Sequence, residues 1–397
     1  MKRTLLTLAA ALALAGPTGA RADEAAKDIL IGAAIPLSGP AAPVGGFIKW
    51  GYEHAVAEVN ARGGLLVGGV RHPVKLLLRD DKTDPTVSVG LVESMITRDR
   101  VTAMLGSASP ALVNPDSIAA ERHKLPMVST ACPIEAFKSA HHWKYSWCLF
   151  FDEPDLASAS LRAIKDLGVA TNKKIAILHD NGPDGSIVGG QMWPKIAKEL
   201  GFEVVASLSF PIDNSQFTSI IEQIRARAPD IVLGDAATPQ AILIRKQIAA
   251  AGFTPKILVI EKGAEPVQFS VALGKLADGV MVGGFWDPSF PFPGAKEIWA
   301  AYEKETGRPG SQQIAGTYTA AMVLFDAIEA ADSLDPQKIN AAIAKTDKTF
   351  VVGPVKFDAG HASKFPMSEL QWQNGKTVVV WPKAQANGAF LFPMPAN

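Results

Sequence analysis

The chain has 397 residues, with 39 basic against 39 acidic side chains. Such a balance supplies no basic face for nucleic acid. The length exceeds what one hydrophobic core usually supports, so two lobes are expected, and the ordinary globular composition needs no staples.

The first residues have the layout of a secretory leader. Lys2 and Arg3 precede an apolar run at 5–15, Gly16 and Pro17 break it, and Ala20-Arg21-Ala22 offers small residues for cleavage. The run is too short to span a bilayer core of ~30 Å. No cysteine follows it to carry a lipid anchor, so residues 1–22 read as a signal peptide cleaved near Ala22. Its removal takes Lys2, Arg3 and Arg21 and no acid, leaving 36 basic against 39 acidic residues. The only cysteines, Cys132 and Cys148, leave a disulfide and two buried thiols equally open.

From Asp28 short apolar runs alternate with amphipathic segments. Strands are expected at 29–35, 74–78, 101–105 and 127–128. Helices are expected at 47–61, 85–97 and 110–122, the second capped by Asp84 with Pro85 in its first turn. The rhythm restarts around 145–151, with strands at 174–178, 203–208, 231–233 and 257–260 and helices at 187–200, 217–227 and 239–250. Strands alternating with helices at this spacing imply right-handed crossovers and a parallel sheet. The fold class is therefore α/β, two doubly wound parallel-sheet lobes. The Pro- and aromatic-rich stretch 287–293 changes the pattern. Helices then follow at 295–306, 313–331 and 336–345, with short strands near 351–352, 355–357 and 369–380. We expect lobe I to comprise 28–147 plus 285–360, and lobe II 148–284 plus 361–397.

In doubly wound sheets ligands sit at the carboxyl ends of the strands. Two such loops in the first lobe are small and hydroxyl-rich: Ser107, Ala108 and Ser109, then Ser129, Thr130 and Ala131. Ser109 suits a helix N-cap before Pro110, and backbone N–H groups there suit a carboxylate. Simple capping by Ser109 is the plainer reading of that loop alone; two such loops side by side favour a site. The corresponding second-lobe loops offer Asp184, then Asp235 and Ala237, then Glu261. Asp184 and Asp235 serve equally well in turns or caps. Glu261 follows four apolar residues and needs a partner: Lys262, an arginine or a bound cation.

No catalytic motif stands out. Residues 106–110 lack the second glycine of a nucleophile elbow, and there is no phosphate-binding loop, dinucleotide fingerprint or zinc-protease helix. The adjacent His141 and His142 point apart, and His179-Asp180 reads as a satisfied hydrogen-bonding pair. No cofactor or metal is expected, and no catalytic residue.

With these residues in place, nearly the whole mature chain resembles the periplasmic branched-chain amino-acid-binding family, the type I solute-binding proteins of ABC importers. The likeness rests on 31–40 (IGAAIPLSGP), 55–60 running into Gly63-Gly64, 79–85 (RDDKTDP), 125–129 (LPMVS) and 353–358 (GPVKFD). The resemblance implies two lobes joined by three hinge strands that close on a ligand, and a periplasmic location. It also implies a monomer delivering a small carboxylate-bearing ligand, such as a branched-chain amino acid, to an ABC permease. It places the ligand carboxylate at Ser107–Ser109 and Ser129–Ala131, and the ammonium at an acid matching Glu261. The chain departs from the family pattern at Val44, Asp184 and Ala237, where aromatic residues are common, and at His361, where the pattern has glycine. Relatives binding amides, urea or aromatic acids keep those ligand classes open. Two other readings are a ligand sensor that feeds no transporter and a secreted α/β hydrolase using Ser109 or Ser129.

Overall fold

The computed structural model describes residues 27–396, apart from the side chains of residues 183 and 184. The expected leader, 1–22, lies outside the described residues. Six parallel strands form the first sheet, in the order Ala362–Lys364, Ser146–Phe150, Met127–Ser129, Ala103–Leu105, Ile29–Ile35, Val74–Asp80. The second runs Lys376–Trp381, Ser368–Gln373, Val280–Gly284, Ile257–Lys262, Ile231–Ala236, Lys174–Asp180, Glu203–Phe210, with Ser368–Gln373 antiparallel to both its neighbours and the other pairings parallel. Central strands such as Ile257–Lys262 are buried on both faces, which is why they read as unbroken apolar runs.

Both sheets are wound alike. In each, the earliest strand lies between the second and third, so the chain winds first one way and then the other. The reversal opens a crevice beside that first strand, at its carboxyl end.

The chain passes between the sheets after Phe150, after Gly284 and after Lys364. Strand Ser146–Phe150 thus closes the first sheet instead of opening the second, and Ala362–Lys364 lies beside it. The passages fall a few residues beyond the expected boundaries at 147 and 360. All three leave from carboxyl ends of strands, so the carboxyl edges of the two sheets face each other. The passages meet in one aromatic cluster. Phe285 lies 5.0 Å from Phe150, 5.4 Å from Phe151 and 5.9 Å from Phe365, centroid to centroid. Phe365 also donates its backbone N–H to the Phe150 carbonyl at 2.9 Å.

Several elements differ from expectation for local reasons. Helix Ala42–Ala61 begins before 47, despite Gly45 and Gly46. Gly45 is packed so closely on Pro36 that a Cβ would fall 1.7 Å from its carbonyl oxygen. The stretch 187–200 is a short helix, a π turn at Val188–Met192 and the helix Trp193–Glu199. Residues 351–352 form the turn of the hairpin Asp347–Phe350/Gly353–Lys356, and 369–380 is two antiparallel strands. The helix Gln313–Ala331 is apolar enough to cross a membrane, but 72% of its apolar window is buried inside the molecule, where it packs on Ala42–Ala61. Both cysteines are buried free thiols.

Candidate functional site

Four loops of the first lobe gather at the carboxyl edge of its sheet. Asp80 ties two of them: its carboxylate accepts the Leu37 and Ser38 N–H groups at 3.0 and 3.1 Å and the Ser38 hydroxyl at 2.7 Å. These bonds hold its pKa below the usual carboxylate range, the Ser38 hydroxyl most of all. Asp81, fully buried, accepts the Ser107 hydroxyl and the Thr83 N–H, each at 2.7 Å. Burial raises its pKa. The Ser107 proton is therefore committed inward, leaving its oxygen only as an acceptor.

The two hydroxyl loops do come together. Ser109 donates its N–H to the Ala131 carbonyl at 2.8 Å, and Gly106 lies directly over Ser129. Ser109 is not the cap, however. Ala108 holds that place, and Ser109 opens helix Ser109–Arg122 with a left-handed φ of 66°. The Ser129 and Thr130 hydroxyls are buried without a hydrogen-bond partner. Thr130 faces the helix Gln313–Ala331, since a Cβ on Gly316 would lie 3.0 Å from its hydroxyl.

The second-lobe residues divide. Asp235 is buried at its strand end, and the Lys262 ammonium spans from it, at 2.6 Å, to Asp180, at 3.2 Å. Lys262 thus bridges the crevice between the first and third strands of that sheet. Ala237 is exposed at the start of helix Thr238–Ala250. The Asp184 side chain lies outside the described residues. Glu261 turns into the lobe. It is 3% exposed and accepts the Ser160 hydroxyl at 3.1 Å and the Gly283 N–H at 3.2 Å. Beside it Glu369 is wholly buried, and desolvation together with the Glu261 charge pushes its pKa far up.

One acid the sequence did not single out lies between the lobes. Glu265, just beyond the Glu261 strand, accepts the Ser311 hydroxyl at 3.1 Å and is also hydrogen-bonded by Gln312. Both partners sit at the start of the long first-lobe helix, where Gln312 in turn accepts the Phe285 N–H at 2.8 Å. Glu265 lines two neighbouring cavities of about 860 and 550 Å³. The larger runs from Val44 and Phe47 on the first lobe to Thr238 and Val267 on the second. The available signal was an acid immediately before Pro266 in a loop at a strand's carboxyl end.

Among the described residues no group of three or more His, Cys, Asp or Glu is arranged to hold a metal. His179 makes a local bond to the Asp180 carbonyl. Among the described residues no base is hydrogen-bonded to the Ser129 hydroxyl.

Two like-wound lobes facing across a crevice, joined by three passages of the chain, define a two-lobed binding protein. The chain belongs to the periplasmic binding protein family, whose pattern matches residues 28–377, a family of solute-binding proteins. Leu/Ile/Val-binding protein homolog 7 of Brucella melitensis is 26% identical over 421 residues, covering 99% of this chain and 100% of that one. A leucine-binding protein of Thermotoga maritima superposes with a TM-score of 0.72 at 24% identity, covering 89% of this chain and 97% of that one. An ABC-transporter solute-binding protein of Rhodopseudomonas palustris, solved with 3,4-dihydroxybenzoic acid, has a TM-score of 0.71 at 18% identity, covering 93% and 98%. At these identities the solved structures speak for the fold.

Proposed function

We propose that the chain captures a small carboxylate-bearing ligand, a branched-chain or other amino acid, in the cleft between its lobes. It then presents that ligand to an ABC permease from the periplasm. The observation that supports this most is the pairing of loops 106–109 and 129–131, held by the Ser109–Ala131 bond on the carboxyl edge of the first sheet, next to its switch point. Small side chains there let a carboxylate approach the backbone and the positive end of helix Ser109–Arg122. Asp81 anchors the first of these loops through the Ser107 hydroxyl, so that part of the seat is preorganised. The second lobe closes over the ligand by flexing the three passages around their aromatic cluster.

A thermal-shift screen against amino acids, amides, urea and aromatic acids tests the reading. An amino acid should raise the melting temperature in a concentration-dependent way. Turnover of chromogenic esters would replace this reading with a hydrolase. A response confined to benzoates would move the ligand to the class seen in the Rhodopseudomonas palustris protein. Scattering with and without the best ligand should show a smaller radius of gyration in its presence.

A further inference from the structure

The chain's two cysteines meet beside the proposed carboxylate seat. Cys132 directly follows Ala131 in the second hydroxyl loop, and Cys148 stands opposite Ser129 on the neighbouring strand Ser146–Phe150. The loop is held at both ends. Ser129 is paired within the sheet, and Ile134 donates its N–H to the Phe151 carbonyl at 3.0 Å. Between those anchors the Cys148 thiol donates to the Cys132 carbonyl at 3.4 Å, and the Cys132 thiol is its other hydrogen-bonding neighbour.

Neither sulfur has a strong partner to give up. The Cys132 Sγ lies 3.9 Å from the Asn114 amide oxygen and 3.8 Å from the Pro133 carbonyl, long contacts for a weak S–H donor. Both side chains are fully buried. Burial, with the Cys132 thiol beside it, holds the Cys148 pKa well above that of a free thiol. Because the thiolate is the form that attacks a disulfide, the folded dithiol reacts slowly. A chain that folds in an oxidising compartment exposes both thiols before its lobe closes, and the loop 132–148 is short enough to close at small entropic cost.

We infer that Cys132 and Cys148 are a modification site, joined in the secreted chain by a disulfide that ties the seat loop to the strand leading into the first passage. The oxidant is a disulfide of the compartment, small-molecule or protein. One S–S bond forms between the two cysteine sulfurs as the oxidant's own S–S bond breaks. The oxidant takes the two electrons and both thiol protons and leaves as two thiols. Strand Ser146–Phe150 runs directly into the first passage, so the bond couples Ser129, Thr130 and Ala131 to the pivot of closure. The inference rests on the periplasmic location proposed above.

The full chain, exported by its own leader and recovered from the periplasm, tests it by alkylation in denaturant without reductant. Neither cysteine should be alkylated before reduction and both should be after it. Trypsin should release fragments 125–138 and 145–162 as one linked species. Reducing the protein in urea and refolding it gives the dithiol form, which should melt a few degrees lower and exchange the amide hydrogens of 125–138 faster. Oxidised glutathione should restore the bond in urea and leave the native dithiol unchanged. Cys148→Ala should melt with the dithiol form and show no response to reductant. Two alkylatable thiols in exported protein that has lost its leader, or a linked dimer in place of the 125–138/145–162 pair, overturn the inference and leave the location standing. A chain retained in the cytosol with its leader uncut overturns the location, and this inference with it.

Discussion

The His361 imidazole lies flat against the Trp147 indole, ring centroids 3.7 Å apart and planes at 15°. His361 has a left-handed φ of 63°, a backbone region that favours glycine. Its Nδ1 lies 3.2 Å from the Ser146 carbonyl. The stack and that contact offset the backbone cost of a side chain there.

Burial lowers the His361 pKa, although the Ser146 carbonyl, Glu121 and Asp358 all act to raise it. The folded protein therefore holds the ring neutral while the unfolded chain protonates it near pH 6.5. Its contribution is full above that pH and is lost as pH falls below it. His361→Asn keeps a residue tolerant of left-handed backbone but removes the ring. We expect a loss of about 1 kcal/mol at neutral pH from the missing stack, and a smaller fall in melting temperature between about pH 7 and 5 than in the wild type. Thermal melts across that range check both.

Asp116 gives the opposite slope. One carboxylate oxygen accepts the Ser88 hydroxyl at 2.6 Å, the other has no partner, and desolvation pushes its pKa up to about 8. The unfolded chain releases this proton near pH 4, whereas the fold retains it to about 8, so stability falls as pH rises between those limits. Asp116→Asn can still accept from Ser88 and carries no proton to lose. Its melting temperature should gain steadily on the wild type from about pH 4 to 8, and parallel curves would refute the assignment.

The lobes and their winding were legible because runs such as Ile257–Lys262, buried on both faces, read as strands by composition alone. The hydroxyl loops were legible for a related reason, since strand ends flanked by small residues mark a switch point. The orientation of Glu261 was not. Pleating puts Ile257, Val259 and Glu261 on one face, but only the assembled lobe reveals that helix Glu153–Leu167 covers that face and supplies Ser160. Glu265 was hidden because Ser311 and Gln312, its partners, lie more than forty residues away on the other lobe. The passages were blurred because Phe150, Phe285 and Phe365 follow no local periodicity, and they acquire meaning only in mutual contact.

The aromatic cluster is the pivot of the proposed closure. Phe285 is 3% exposed and touches aromatics from both other passages. Phe285→Ala should cost about 3–5 kcal/mol in unfolding free energy, whereas Val271→Ala, at a side chain 78% exposed, should cost almost nothing. Denaturant titration of the two variants, fitted with a common slope, separates them.

The approach of the two hydroxyl loops rests on Gly106. A Cβ there would fall 2.3 Å from the Ser129 hydroxyl, 2.6 Å from its Cβ and 2.9 Å from its Cα. The last two atoms belong to or adjoin the backbone, so the clash cannot be relieved by turning a flexible side chain. Gly106→Ala should therefore push residues 106–109 away from 129–131, at a cost of about 1–3 kcal/mol typical of overpacking. It should also weaken ligand binding by about tenfold or more, because a seat displaced by even about 1 Å loses its geometry. The compensating change is at Ser129. In Gly106→Ala/Ser129→Gly the new methyl occupies the space the serine side chain vacates, and both stability and affinity should recover in part. The double variant must then bind more tightly than Gly106→Ala alone. If calorimetry shows the two losses simply adding, Gly106 and Ser129 are not in the contact described, and the paired-loop seat loses its support.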